Sequence, residues 1–258
     1  MTQATDPLAE YAPTPKQNRR VSMVLWLLGL PGLLSLPKSV LPQWLPHSHD
    51  SAQLPLAHWL TMGALALLLA VSVSVGQRLG SYVGLSAPLL HIGLSGRSPW
   101  RAIRFLSLPG IAGGVAGAAW LVTLAVLWPE SLSVVDPVYA MPLLPKLLYG
   151  GITEELLLRY GGLSLVMWLL WRLTGDSQRR PGWRLGWFAV IVTALIVGSL
   201  PLLMSWSLLG SMTTGVLVQL LLCDIVYGVM AGFIFWRYGI EAAILAHVIS
   251  YLLSHGLV

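Results

Sequence analysis

Glu154, Glu155 and Arg159 stand inside Gly151-Ile152-Thr153-Glu154-Glu155-Leu156-Leu157-Leu158-Arg159, a stretch whose other residues suit lipid. A carboxylate in hydrocarbon costs at least a few kcal/mol, so ionisable groups at depth usually pair with one another and line a functional cavity. On a helix Glu155 and Arg159 are i and i+4, acid before base, the favourable order for an ion pair. Such a pair offsets much of the desolvation cost of each member. Glu154 is rotated by about 100° from Glu155 and faces a different neighbour. One carboxylate therefore has a built-in partner, and the other is the candidate for general-base work.

A complement stands near the end of the chain, in Gly239-Ile240-Glu241-Ala242-Ala243-Ile244-Leu245-Ala246-His247. His247, Tyr251 and His255 recur every fourth residue and form one polar stripe on an otherwise apolar helix. His247 falls about 15 Å into the bilayer, counted from Arg237 at the helical rise. Counted from Arg172, Arg159 lies about 20 Å deep and Glu154 about 27 Å. This register sets Arg159 nearest Tyr251 and Glu154 nearest His255. Asp224 adds a third polar group in mid-span. A lone histidine or aspartate in a span is most often a helix–helix hydrogen-bond partner. Two glutamates, an arginine and a histidine stripe at comparable depth point instead to function.

The elements that must position these groups are membrane helices. Of 258 residues, 56% are hydrophobic and only 10% charged, where a soluble domain carries roughly a quarter charged residues. Twelve tryptophans and eight tyrosines suit a protein with two water–lipid interfaces. The expected fold is an all-α polytopic bundle, with spans at 21–36, 56–76, 108–128, 146–171, 185–206, 211–236 and 239–257. The stretch 80–95 is short and holds Pro88, so it reads as a half-span or interfacial helix. Residues 1–20 form a polar N-terminal segment, and 21–258 one membrane domain. Val21–Leu36 has no small-x-small cleavage signal after it and reads as an uncleaved first span.

Basic residues cluster at 16–20, from Arg78 to Arg104, at 172–184 and at Arg237. The opposite segments carry His47, His49, Asp50, Glu130 and Asp136, with Lys38 and Lys146 as exceptions. The positive-inside rule then places the N-terminus in the cytoplasm and the C-terminus outside. The net charge of +5 belongs to this asymmetry and is no nucleic-acid footprint. Cys223 is the only cysteine, which excludes an intramolecular disulfide and a cysteine-based zinc site. Gly110, Gly113, Gly114 and Gly117 form small-xxx-small pairs, a face for close helix contact.

The Glu154-Glu155-x-x-x-Arg159 run, the Gly-Gly and Trp-rich span after it, and the terminal run ending in His247 resemble the CPBP family. That family comprises type II CAAX-prenyl endopeptidases and Abi-type or bacteriocin-processing intramembrane proteases. The likeness covers residues 146–257. It implies an intramembrane endopeptidase acting on membrane-associated or lipid-modified peptides, in a prokaryotic inner membrane. It implies Glu154 as base on a water, supported by Glu155 and Arg159. His247 would orient that water, bind a zinc ion together with Glu154, or stabilise the oxyanion; a metal-free mechanism is the other option. The family's second motif, Phe-x-x-x-His, aligns with Val197 and Pro201, or with Ser199 in the histidine position, and neither alignment supplies the histidine. The third motif, His-x-x-x-Asn or His-x-x-x-Asp, has Tyr251 as its last residue here. A phenol can still donate to a developing oxyanion. A zinc site would need Glu154, His247 and a third ligand such as His255 or Asp224. The missing histidine keeps a second reading open, a catalytically silent relative serving as an immunity or scaffold protein. A proton-coupled transporter using Glu154, Asp224 and His247 is a third, and the chain has no internal repeat to favour it.

Overall fold

The computed structural model describes residues 15–39, 54–128, 141–174, 180–200, 214–255 and 257. Pro201, the segment with His47, His49 and Asp50, and the segment with Glu130 and Asp136 lie outside the described residues. Every described element is helical: α1 (Pro15–Ser39), α2 (Leu54–Val83), α3 (Pro88–Leu94), α4 (Trp100–Leu127), α5 (Leu143–Leu148), a π-helix (Tyr149–Leu163), α6 (Ser164–Leu173), α7 (Trp183–Gly198), α8 (Thr214–Tyr238) and α9 (Ile240–Ser254). Five continuous helices are long and apolar enough to cross a membrane, the rod Leu143–Leu173 among them. The shorter apolar helices α7 and α9 bring the described rods to seven, in keeping with about seven crossings. Large apolar side chains such as Leu34, Leu67, Ile111 and Leu169 are exposed around the outside, as a lipid-facing surface requires.

Three boundaries differ most from the hydropathy reading, the first at α1, which starts at Pro15 inside the polar segment and six residues before its apolar stretch. Helix α2 runs on to Val83 through Gln77 and Arg78, and only Pro88–Leu94 remains as the short element α3. Helix α4 starts at Trp100, eight residues before its apolar stretch, because Arg101 and Arg104 extend it beyond the hydrocarbon-like part. Helix α1 continues through Pro31 and Pro37. A proline frees a carbonyl one turn back, and inside a bundle neighbouring groups can satisfy it.

Helices α4 and α9 make the closest pairing. A Cβ at Gly110 would overlap Leu245, one at Gly113 Ile234, one at Gly114 Ile249, and one at Gly117 Ser250 and Tyr227. The small-residue face is thus the seat of α9 and, at Gly113 and Gly117, of α8, a close helix contact as its spacing indicated. The basic segments converge on one end of the bundle. Gln77 at the end of α2 donates to Asn18 at the start of α1 (3.1 Å). Arg180 lies along Gly84, and Gly239 abuts Pro88.

Candidate active site

The rod Leu143–Leu173 carries the acidic pair, and its middle is wound with i→i+5 hydrogen bonds over Tyr149–Leu163. π-winding is rare, and its usual single-turn form is frequently found at functional sites. The wider coil is seated by small residues. Gly150 lies against the Tyr251 ring, Gly151 against Val248, and Gly161 against Ser72. Thr153 is fully buried; its hydroxyl contacts the Gly29 carbonyl (2.7 Å) and the Leu148 carbonyl five residues back (3.2 Å).

Glu155 stands at the centre and is completely buried. Its Oε1 meets Arg159 Nη1 at 3.3 Å and His247 Nδ1 at 2.7 Å. An ionised carboxylate only accepts, so this contact requires Nδ1 to carry the proton, and a neutral imidazole then keeps its lone pair on Nε2. Glu155 Oε2 is buried with no partner among the described residues. Glu154, one position earlier, is only half-buried. The His247 ring is packed between two tyrosines, Tyr227 and Tyr251, each with its centroid 4.6 Å away. Lys146 is 2% exposed and holds its Nζ 5.8 Å from the Tyr251 ring centroid. The Ser250 hydroxyl lies within donating distance of the Gly114 (3.1 Å) and Ala246 (2.9 Å) carbonyls and accepts from the Tyr227 hydroxyl at 3.4 Å.

The register differs from the depth count. Tyr251 is level with Gly150, more than two turns from Arg159, and His247 meets Glu155. A helix wound with more residues per turn rises less per residue. Glu155 therefore lies closer to the basic end than a rise of about 1.5 Å per residue places it. His255 caps the end of α9 and is exposed. Asp224 faces α7 at Gly198. Ser199, the described candidate for the second-motif position, turns its hydroxyl back to the Leu195 carbonyl (2.6 Å).

Behind Arg159 is a cavity of about 10 Å³ lined by Arg159, Thr193, Ala194, Val197, Gly228 and neighbouring aliphatic side chains. That is room for about one water. Helix α7 faces this cavity with Thr193, Ala194 and Val197, and it contains no histidine.

A family model described as Type II CAAX prenyl endopeptidase Rce1-like matches residues 136–253. This segment is an Rce1-like domain. It takes in Glu154, Glu155, Arg159, His247 and Tyr251. The domain is of the intramembrane CAAX-type endopeptidase kind. No curated protein and no solved structure matches the chain.

Among the described residues the donor set does not gather as a resident zinc ion needs. A hydrolytic zinc site uses three protein ligands and a water. Among the described residues no three His, Cys, Asp or Glu side chains gather in this way. The Glu155 oxygen beside His247 is already shared with the Arg159 cation.

Tyr227, Lys146 and Ser250 escaped the sequence reading of the Rce1-like domain as site residues. Tyr227 had a signal, because it stands three residues after Asp224 in an apolar run. Lys146 had another, as a charge on the wrong side of the basic bias. Ser250 had none beyond being i+3 from His247.

Proposed function

We propose that the chain hydrolyses a peptide bond of a membrane-associated, lipid-modified peptide, with Glu154 as general base. The observation that carries this reading is the arrangement at Glu155. Its Oε1 is held by both Arg159 and His247, so the buried carboxylate serves as an anchor. The neighbouring Glu154 is left as the glutamate that water can reach. Glu154 takes a proton from the water, and the oxygen attacks the scissile carbonyl carbon. The C–N bond then breaks, and the proton passes from Glu154 to the leaving amine. His247, fixed by Glu155 through Nδ1–H, offers Nε2 to accept from the attacking water. The Tyr251 hydroxyl donates to the carbonyl oxygen as it becomes an oxyanion. Every step uses side chains of this protein alone, in accord with the donor set.

The test is cleavage of a prenylated CAAX-type peptide by purified protein in detergent. Glu154→Gln abolishes cleavage while membrane insertion and yield stay at wild-type levels. Cleavage by wild type is unchanged by a strong zinc chelator, and purified protein holds far less than one zinc per chain. Unimpaired turnover in Glu154→Gln, or inactivation by the chelator that added zinc reverses, refutes this mechanism.

A second reading has one observation behind it. Helix α7 presents Ala194 and Val197 toward Arg159 and carries no histidine. A silent relative that holds a membrane peptide without cutting it would have such a surface. Wild-type protein that binds the prenylated peptide and leaves it intact would establish that alternative.

A further inference from the structure

Helix α9 begins at a backbone position that only glycine adopts readily. Gly239 has φ 94° between α8 and α9, and Pro88 fills the space where a Cβ would stand. Two hydrogen bonds fasten the start of α9 to the segment around α3. The Ile240 N–H donates to the Ser86 carbonyl (3.2 Å), and the Leu90 N–H donates to Glu241 Oε1 (3.0 Å). Glu241 Oε2 is buried with no hydrogen-bond partner among the described residues.

The same short helix is tied to the other half of the site. His91 of α3 is buried, with Nε2 3.5 Å from Gln77 Nε2. Gln77 Oε1 accepts from the Tyr160 hydroxyl at 2.9 Å. Tyr160 is fully buried and directly follows Arg159. Through Gln77 and Tyr160, α3 touches the helix of Glu155 and Arg159. Through Glu241 it holds the helix of His247.

We infer that Glu241 is a positioning residue. By accepting the Leu90 N–H it sets the depth and rotation of α9, and so seats His247 Nδ1 on Glu155. His247 lies six residues beyond Glu241, about 9 Å along a helix. A small rotation at the base of α9 therefore displaces the imidazole from a 2.7 Å contact that tolerates little movement. This inference rests on the reading of His247 as the water-orienting residue held by Glu155, but it concerns the contact between them, which can be observed without turnover.

The experiment follows two readouts on full-length protein labelled with ¹⁵N-histidine in micelles. The first is the downfield Nδ1–H proton of His247, assigned by its loss in His247→Gln. The second is cleavage of the prenylated peptide, resolved into kcat and KM. Glu241→Ala is expected to abolish the downfield resonance and to lower kcat on the order of 10²-fold, with KM little changed, as misplacement by about an ångström does. Glu241→Gln keeps an oxygen for the Leu90 N–H and retains both readouts. Leu90→Pro removes the donor while leaving every residue of α9 unchanged, in a first turn that tolerates proline, and reproduces the Glu241→Ala result. It decides the question if Glu241→Ala does not insert. Retention of the resonance and of kcat in Leu90→Pro or Glu241→Ala overturns the proposal. If wild type cleaves nothing and the resonance still depends on Glu241, the positioning role stands and the peptidase reading is the one that fails.

Discussion

At the scale of single residues, Glu155 decides the character of the site. Its Oε1 receives a guanidinium at 3.3 Å and an imidazole at 2.7 Å, and the side chain has no exposure to solvent. Breaking a buried pair on one side leaves an uncompensated charge, at a cost of about 3–5 kcal/mol. Arg159→Leu should therefore destabilise the protein by about that amount, read as thermal unfolding in detergent. Glu155→Leu combined with Arg159→Leu removes both charges and should recover a large part of the loss, since an apolar replacement of a buried pair is often neutral. A double variant as unstable as Arg159→Leu alone would mean that the pair is not the source of the effect. The i, i+4 spacing of this pair was legible in the sequence. The partnership of Glu155 with His247 was not, because a depth count from one basic residue on each helix fixes neither the winding of a helix nor the offset between two of them.

At the scale of elements, hydropathy carries the existence of each span but not its winding or its ends. Nothing in Tyr149–Leu163 distinguishes i→i+5 from i→i+4 bonding by polarity. What marks the segment is glycine, at 150, 151, 161 and 162, and that signal reads as packing as readily as winding. Packing itself was legible, and it can be tested with two glycines that face opposite environments. A Cβ at Gly32 of α1 would overlap the Thr153 hydroxyl and the Leu148 carbonyl on the π-helix rod. A Cβ at Gly63 of α2 meets nothing within 4 Å. Gly32→Ala should cost about 1–3 kcal/mol, since the obstacle includes rigid backbone. Gly63→Ala should gain about 0.5–1 kcal/mol from the lower entropy of alanine in the unfolded chain. Thermal unfolding of the two variants checks both signs, and equal shifts would contradict the packing of α1 on the rod.

At the scale of the whole molecule, four basic segments distant in sequence share one end of the bundle. Asn18 meets Gln77, Gly84 meets Arg180, and Pro88 meets Gly239 two residues after Arg237. We propose, on the positive-inside rule, that this end is the cytoplasmic one. The Glu155–His247 contact, and with it the proposed site, then hangs from that side, because His247 lies eight residues past Gly239, about 12 Å along α9. A substrate bond anchored at the cytoplasmic interface would reach it without crossing the bilayer. The orientation can be tested on this chain directly, because its one native cysteine, Cys223, is buried and makes a quiet background. Ser98 is exposed in the basic segment between α3 and α4, and Leu257 is exposed beyond the other end of α9. In intact cells a membrane-impermeant maleimide should label Leu257→Cys and spare Ser98→Cys. Permeabilised cells should label both. Labelling of Ser98→Cys before permeabilisation would place the basic end outside and would remove the cytoplasmic route for the substrate.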